Sequence, residues 1–323
     1  MRSSFRILVA ALALMTIACF YYQISDLPHF TGILRQTPQV ATYASTSITS
    51  GDDDSSSRSA PGFHKPHKGD IAENSHHPAT DLTTAENKAP KPPNDKAVVM
   101  GALSTDDVAW TTTKLHEWDA FVYNVDNDTA IPLHTDRNKG KEANAYLTYI
   151  IQNYDSLHET IAFVHSHEFG WLKGWHTDAK KHSNVESLNS LNVGFVQRNG
   201  YANLRCLPNP GCPDEMQPFR EPKDESKTTE AVFAAAWREI FDNDDVPEVV
   251  GVACCAQFAV SKQQILQRTK EEYLRMHAWL MSTELDDQTS GRVFEYLWHI
   301  IFGQEAVYCP ILAQCYRDVY GAG

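Results

Sequence analysis

Apolar residues recur at the spacing of a helix face in residues 141–154, with Ala143, Tyr146, Leu147, Ile150, Ile151 and Tyr154 on one side. Residues 231–241 repeat the pattern with Val232, Phe233, Ala236, Trp237 and Ile240. Short helices are expected over 185–191 and, capped by Ser261, through 267; a longer one is expected over 270–283. A last helix, capped by Ser290 and stopped by Gly303, runs to 302 and is apolar almost all round. Between these lie short apolar runs of strand character: 120–125, 160–164, 201–204 and 246–252. Strands alternating with helices predict an α/β fold, a single domain over 106–323 with a mostly parallel sheet flanked by helices.

The first third of the chain has a different composition. Arg2 and Arg6 precede an apolar run over 7–22, which fits a signal-anchor within residues 1–27 and a luminal C-terminus. A cleaved signal peptide, with Thr16-Ile17-Ala18 as its small-residue site, is the competing reading. Residues 28–105 are rich in Ser, Asp, Pro and Lys and hold no Trp or Cys. Such a segment buries too little apolar area to offset chain entropy, so a disordered stalk is expected. The address is then a single-pass type II membrane protein facing the ER or Golgi lumen, with a secreted or wall-facing protein as the alternative.

Charge and cysteine narrow the partners. Residues 106–323 carry 32 acidic and 19 basic side chains, which argues against nucleic acid and against docking on an anionic membrane by a basic patch. Beyond the N-terminal run there are six cysteines. Cys206 and Cys212 flank one Pro-containing loop, and Cys309 and Cys315 another, so two local disulfides in an oxidising compartment are expected. Cys254 and Cys255 are adjacent and read as buried thiols after a strand. Asn127-Asp128-Thr129 is an N-glycosylation sequon.

Candidate chemistry gathers where strands end. The run IAFV leads into His165-Ser166-His167-Glu168, followed by His176, Asp178 and His182: four histidines and two carboxylates within 18 residues. Imidazole with carboxylate suits proton transfer by His165 and His167. It equally suits a divalent metal such as Mn²⁺ or Zn²⁺ on His165, His167, His176 and Asp178. A surface loop after a core strand is the plainer reading. In the last helix Arg292, Glu295 and His299 fall on one face, either as an ion pair or as a cleft lining with Glu295 as catalytic base. Asn138, Lys139, Lys141 and Glu142 precede the first helix, whose N-terminus offers an anion site for a diphosphate. Tyr123 and Asn124 end the first strand, and Trp171 and Trp175, with Tyr123 and Tyr201, offer surfaces for sugar rings. The chain holds no Gly-x-Ser-x-Gly and no dinucleotide fingerprint.

Four motifs, NKGKEANAYLTYIIQNYDSL, TIAFVHSHEFGW, PEVVGVACCAQFAVSKQQI and SGRVFEYLWHIIFGQEAVYCP, resemble a largely fungal family catalogued as domain of unknown function 3431, over about residues 119–320. That resemblance brings no catalytic residues with it. More loosely, an anchor, a stalk and an α/β domain with a strand leading through Ala-Val-Ser-Lys into a helix are similar to Golgi glycosyltransferases of the GT-A type. This likeness implies a GT-A or Rossmann-like sheet, a nucleotide-sugar donor and a glycan acceptor. It also implies an Asp-x-Asp metal motif. Asp126-Asn127-Asp128 has that spelling but follows the first strand and overlaps the sequon. The competing functions are a non-catalytic glycan-binding module and a metal-dependent hydrolase.

Overall fold

The computed structural model describes residues 94–126, 128–170 and 176–321. The expected anchor, most of the stalk, the Asn127 glycan and the Trp171 and Trp175 surfaces lie outside the described residues. No helix among the described residues is long and apolar enough to cross a membrane.

The chain runs β1 (Lys96–Ala102), α1 (Trp110–Thr113), β2 (Asp119–Asn124), α2 (Ala143–Asn153), β3 (Thr160–Phe163), α3 (Asn184–Asn189), α4 (Val193–Asn199) and β4 (Tyr201–Asn203). It continues through α5 (Thr228–Phe241), β5 (Gly251–Val252), β6 (Phe258–Ser261), α6 (Lys262–Ile265), α7 (Lys270–Ser282), α8 (Asp287–Glu295), α9 (Trp298–Ile301), β7 (Val307–Tyr308) and α10 (Leu312–Tyr320). Five strands form one mixed sheet in the order β2-β1-β3-β6-β4. β2, β1 and β3 pair in parallel, while β6 runs antiparallel to both β3 and β4. This is an α/β domain with a mixed sheet, close to but less parallel than expected.

Side chains alternate across the sheet as a pleat requires. Ala97 and Val99 of β1, with Phe258 and Val260 of β6, join the core under α2, α5, α7, α8 and α9. Val98, Met100 and Ala259 point to the opposite core under α1, α3, α4 and α10. An aromatic cluster anchors the first layer, with Phe163 5.0 Å from Phe258 and 4.8 Å from Tyr146 between ring centroids.

Four expectations need correction. β1 lies inside the 28–105 segment assigned to the stalk, so the ordered domain begins earlier than 106. After Lys96 its residues are apolar on both faces, as an interior parallel strand must be, but the Pro- and Lys-rich stretch before it masked the signal. Of the strand expected over 246–252, only Gly251–Val252 forms; it pairs with β7 in a separate two-stranded sheet. The helix from 290 to 302 is two helices. Asp286, not Ser290, is the cap, accepting Thr289 N–H at 2.7 Å, and the chain breaks at Tyr296 and Leu297 before α9. His299 therefore leaves the Arg292–Glu295 face. It is fully buried, and its Nε2 lies 3.1 Å from the Ala306 carbonyl.

The fourth correction concerns the cysteines. The bonds are Cys206–Cys315 and Cys212–Cys309, which tie the loop after β4 to the C-terminal segment. Cys254 and Cys255 are also bonded, to each other. Each expected loop supplies one cysteine to each long bond, because the two loops lie side by side. The disulfides point to an oxidising, extracytoplasmic compartment.

Candidate active site

In an open α/β sheet the carboxyl ends of parallel strands leave a crevice. The chain fills it from four elements. β3 ends and delivers His165. β6, being antiparallel, begins at the same edge, and the pairing of Phe163 with Phe258 brings Gln257 beside His165. α2 starts there with Glu142. α8 ends there with Arg292 and Glu295. His165, Glu142, Arg292 and Glu295, together with Lys141, His176, Pro210, Gln288 and the Cys254–Cys255 disulfide, line a cleft of about 250 Å³.

The entry to α2 is shaped for close approach. Gly140 and Lys141 both adopt positive φ, at 68° and 55°. The turn is held by Gly140 N–H donating to Asp287 Oδ1 at 3.3 Å and by Lys139 Nζ donating to the Leu285 carbonyl. Against it packs Gly291 of α8, where a Cβ would stand 2.9 Å from the Gly140 carbonyl oxygen and 2.8 Å from Lys141 Cγ. Only glycine lets α8 come near enough to place Glu295 and Glu142 in one cleft. Gly291→Ala is expected to cost about 1–3 kcal/mol by overpacking, seen by calorimetry as a melting point several degrees lower.

Glu142 and Glu295 are the two carboxyls of the cleft lining. Burial pushes the Glu142 carboxyl up to about 8, with the charge of Glu295 adding to the effect. The acid is therefore mainly protonated at neutral pH. Glu295 is also raised above the ordinary carboxyl range, again chiefly by burial. The two differ in support. Glu295 Oε1 accepts the Cys255 N–H at 2.7 Å, and both that bond and Arg292 favour its charge. For Glu142 the opposing influences are its own backbone N–H and Lys141. Arg292 donates to Glu215 Oε1 at 3.2 Å and packs over the Tyr296 ring.

His165 is held uncharged. Burial comes first, then repulsion from His176 and His167, lowering it to about 3. Its Nδ1 lies 3.1 Å from Nδ1 of His176, so one ring donates to the other. Gln257 fixes both residues from below: its Oε1 accepts His165 N–H at 2.8 Å and its Nε2 donates to the His176 carbonyl at 3.2 Å.

The fold thus brings together His165, His176, Glu142, Arg292 and Glu295, and it separates the other described candidates. His167 is absent from the cleft lining; its carbonyl accepts Asn184 Nδ2 at 2.8 Å. Asp178 is a structural clamp, accepting Cys206 N–H at 2.6 Å and Leu207 N–H at 2.8 Å. The expected metal set of His165, His167, His176 and Asp178 therefore does not converge. Among the described residues the group with metal-ligand spacing is Cys254, Cys255 and Glu295, within 4.8 Å of one another, and its two sulfurs are bonded together. Asp126 accepts a backbone N–H from Ser104 at the surface. Tyr123 and Tyr201 are core residues with no face for a sugar. Asn124 caps its own turn by accepting Asp126 N–H at 3.1 Å. Asn138 is exposed outside the cleft, and Lys139 is tied to the Leu285 carbonyl.

Sequence reading missed the disulfide floor, Pro210, Gln257 and Gln288. The even count of six cysteines held the one usable signal, since it permitted a third bond.

Two comparisons with known proteins are empty: no curated protein and no solved structure matches the chain. A family profile described as a protein of unknown function (DUF3431) matches residues 98–318.

Proposed function

The chain belongs to that family of unknown function, and from its cleft we propose a glycosyl-transferring enzyme that moves sugar from a nucleotide sugar to a glycan acceptor in the secretory lumen. The observation that carries this reading is the pair Glu142 and Glu295, two carboxyls in one cleft with unequal support for their charge. Unequal support for the charged form divides the labour of acid and base. Glu142, protonated, donates to the oxygen that leaves the sugar. Glu295, whose charge Arg292 and the Cys255 N–H favour, accepts the proton of the attacking hydroxyl. Neutral His165 hydrogen-bonds substrate without adding charge. At the mouth, Lys141 and Arg292 meet the negative charge of a departing diphosphate. A second depression of about 150 Å³ shares Gln288 and Arg292 with the cleft and offers room beyond the reacting ring. A sheet with parallel strands around one antiparallel member, and a cleft at the strand ends, is in keeping with a GT-A-like plan. No step here is routed through Mn²⁺, because the histidine and Asp178 set does not converge.

The test uses the full chain produced through an oxidising secretory host. Nucleotide sugars are offered with small glycan acceptors, with and without Mn²⁺, and release of nucleoside diphosphate is measured with the glycosylated product. Turnover by the wild type, lost by at least about 100-fold in Glu295→Gln, is the expected result. Turnover that Glu295→Gln leaves intact, or no product from any donor in folded protein, would sink the reading. Sugar binding without turnover would favour a glycan-binding module instead.

A further inference from the structure

We propose that the Cys254–Cys255 disulfide, with the Pro210 ring beside it, is a platform for one pyranose ring, forming the sugar subsite of this cleft. The proposal deepens the glycosyl-transfer reading and rests on it for the choice of ligand.

The disulfide has no evident use as a brace. A bond between adjacent residues closes almost no loop and removes little entropy from the unfolded chain, in contrast to bonds that span long loops. Its effect is local shape. Here that shape is built into the cleft wall. Cys254 N–H donates to the Pro210 carbonyl at 3.1 Å, and Val252 N–H to the Gly211 carbonyl at 3.1 Å. Gly211 sits so close that a Cβ would stand 2.0 Å from the Val252 carbonyl oxygen. Cys212 next to it is bonded to Cys309. The Pro210 loop and the disulfide are thus fastened to each other as one unit, and Cys255 N–H fastens that unit to Glu295 at 2.7 Å.

The chemistry of this floor selects a ligand. The half-buried Pro210 ring and the edge of the disulfide that reaches the cleft, Cys254 and Cys255 being 3 % and 6 % exposed, make a narrow apolar strip. Around it stand hydrogen-bonding groups: Glu142, His165, His176 and Gln288. A pyranose has the matching form, with a C–H face and a rim of hydroxyls. The cations Lys141 and Arg292 share the lining, where a group attached to the ring would be negative. The volume, about 250 Å³, falls below the roughly 300–1,000 Å³ of sites for drug-sized ligands, which fits a single ring and leaves the nucleotide outside.

The experiment follows the disulfide itself. Full-length protein is treated with a trialkylphosphine, which reduces the bond to two thiols and is itself oxidised to the phosphine oxide. Opening of each disulfide is timed by alkylation and mass spectrometry, with glucose, galactose, mannose or N-acetylglucosamine present as the probe. At least one of these sugars should slow opening of Cys254–Cys255 by fivefold or more, and leave Cys206–Cys315 and Cys212–Cys309 unaffected. The Cys254→Ser/Cys255→Ser variant should bind the same sugar at least tenfold more weakly by saturation-transfer NMR. Equal opening rates with every sugar, or undiminished binding by the double variant, would overturn the proposal. Because these readouts need no turnover, the two readings separate. Protection by sugar without any catalytic role for Glu295 keeps the platform and removes the enzyme; turnover without protection does the reverse.

Discussion

Glutamine in place of Glu142 is expected to lower turnover by roughly 10²–10⁴-fold, the usual worth of a positioned acid, while making the protein more stable at alkaline pH. The two effects share one cause. In the fold the carboxyl is raised to about 8 from an ordinary 4.5. A raised acid contributes most to stability below its unfolded value, and that contribution drains away as pH rises through the folded value. The wild type should therefore lose stability between about 4.5 and 8 from this group, and Glu142→Gln should not. The kcat/KM of the wild type should fall above about 8, as the acid loses its proton. His165 works with the opposite sign. Lowered to about 3 from 6.5, it withdraws stability as pH falls below 6.5. Buried His299, lowered to about 4, adds to that acid sensitivity. Melting temperatures from pH 4 to 9, with kcat/KM over the same range, check both limbs. A Glu142→Gln enzyme within threefold of wild-type turnover would remove Glu142 from the chemistry.

The second large effect concerns the two long disulfides. Removing Cys206–Cys315 and Cys212–Cys309 together should cost far more than either alone implies. They span 109 and 97 residues and are nested. The first to form closes a loop of about 100 residues, worth about 4.7 kcal/mol in the chain-entropy account. With one in place, the other closes only a ring made of 206–212 and 309–315, worth about 3 kcal/mol. Each single removal, by paired serine substitutions, is thus expected to cost about 3 kcal/mol, and the quadruple variant about 8 kcal/mol. Urea melts of the three variants measure this. Costs that simply add would contradict the nested arrangement. Non-reduced peptide mapping gives a direct check, since the loops should be joined to each other and not closed upon themselves.

Much of the site was visible in the chain without its fold. The burst of histidines after IAFV located His165 and His176. The acidic residue in an apolar helix located Glu295 and Arg292, and the turn before the first helix located Glu142. In each case the signal is local: polar groups at the end of an apolar strand, inside an apolar helix, or in a turn at a helix start. What distance decides was not visible. His167 and Asp178 share the same run as His165 but serve backbone groups elsewhere. His299 shares the spacing of Glu295, yet the break at Tyr296 turns it into the core.

Periodicity, composition and residue chemistry are carried by neighbours in the chain, so the alternation of strands and helices, the oxidising address and the candidate residues could be read before any fold was known. The tertiary structure alone decided the antiparallel place of β6, the partners of Cys206 and Cys212, and the disulfide floor between Pro210 and Glu295. Those depend on contacts between segments far apart in the chain, whose energies no local pattern records. Glu142 shows the division most clearly. A glutamate before a helix is an ordinary surface residue until α8, admitted by Gly291, packs beside it and half-buries it.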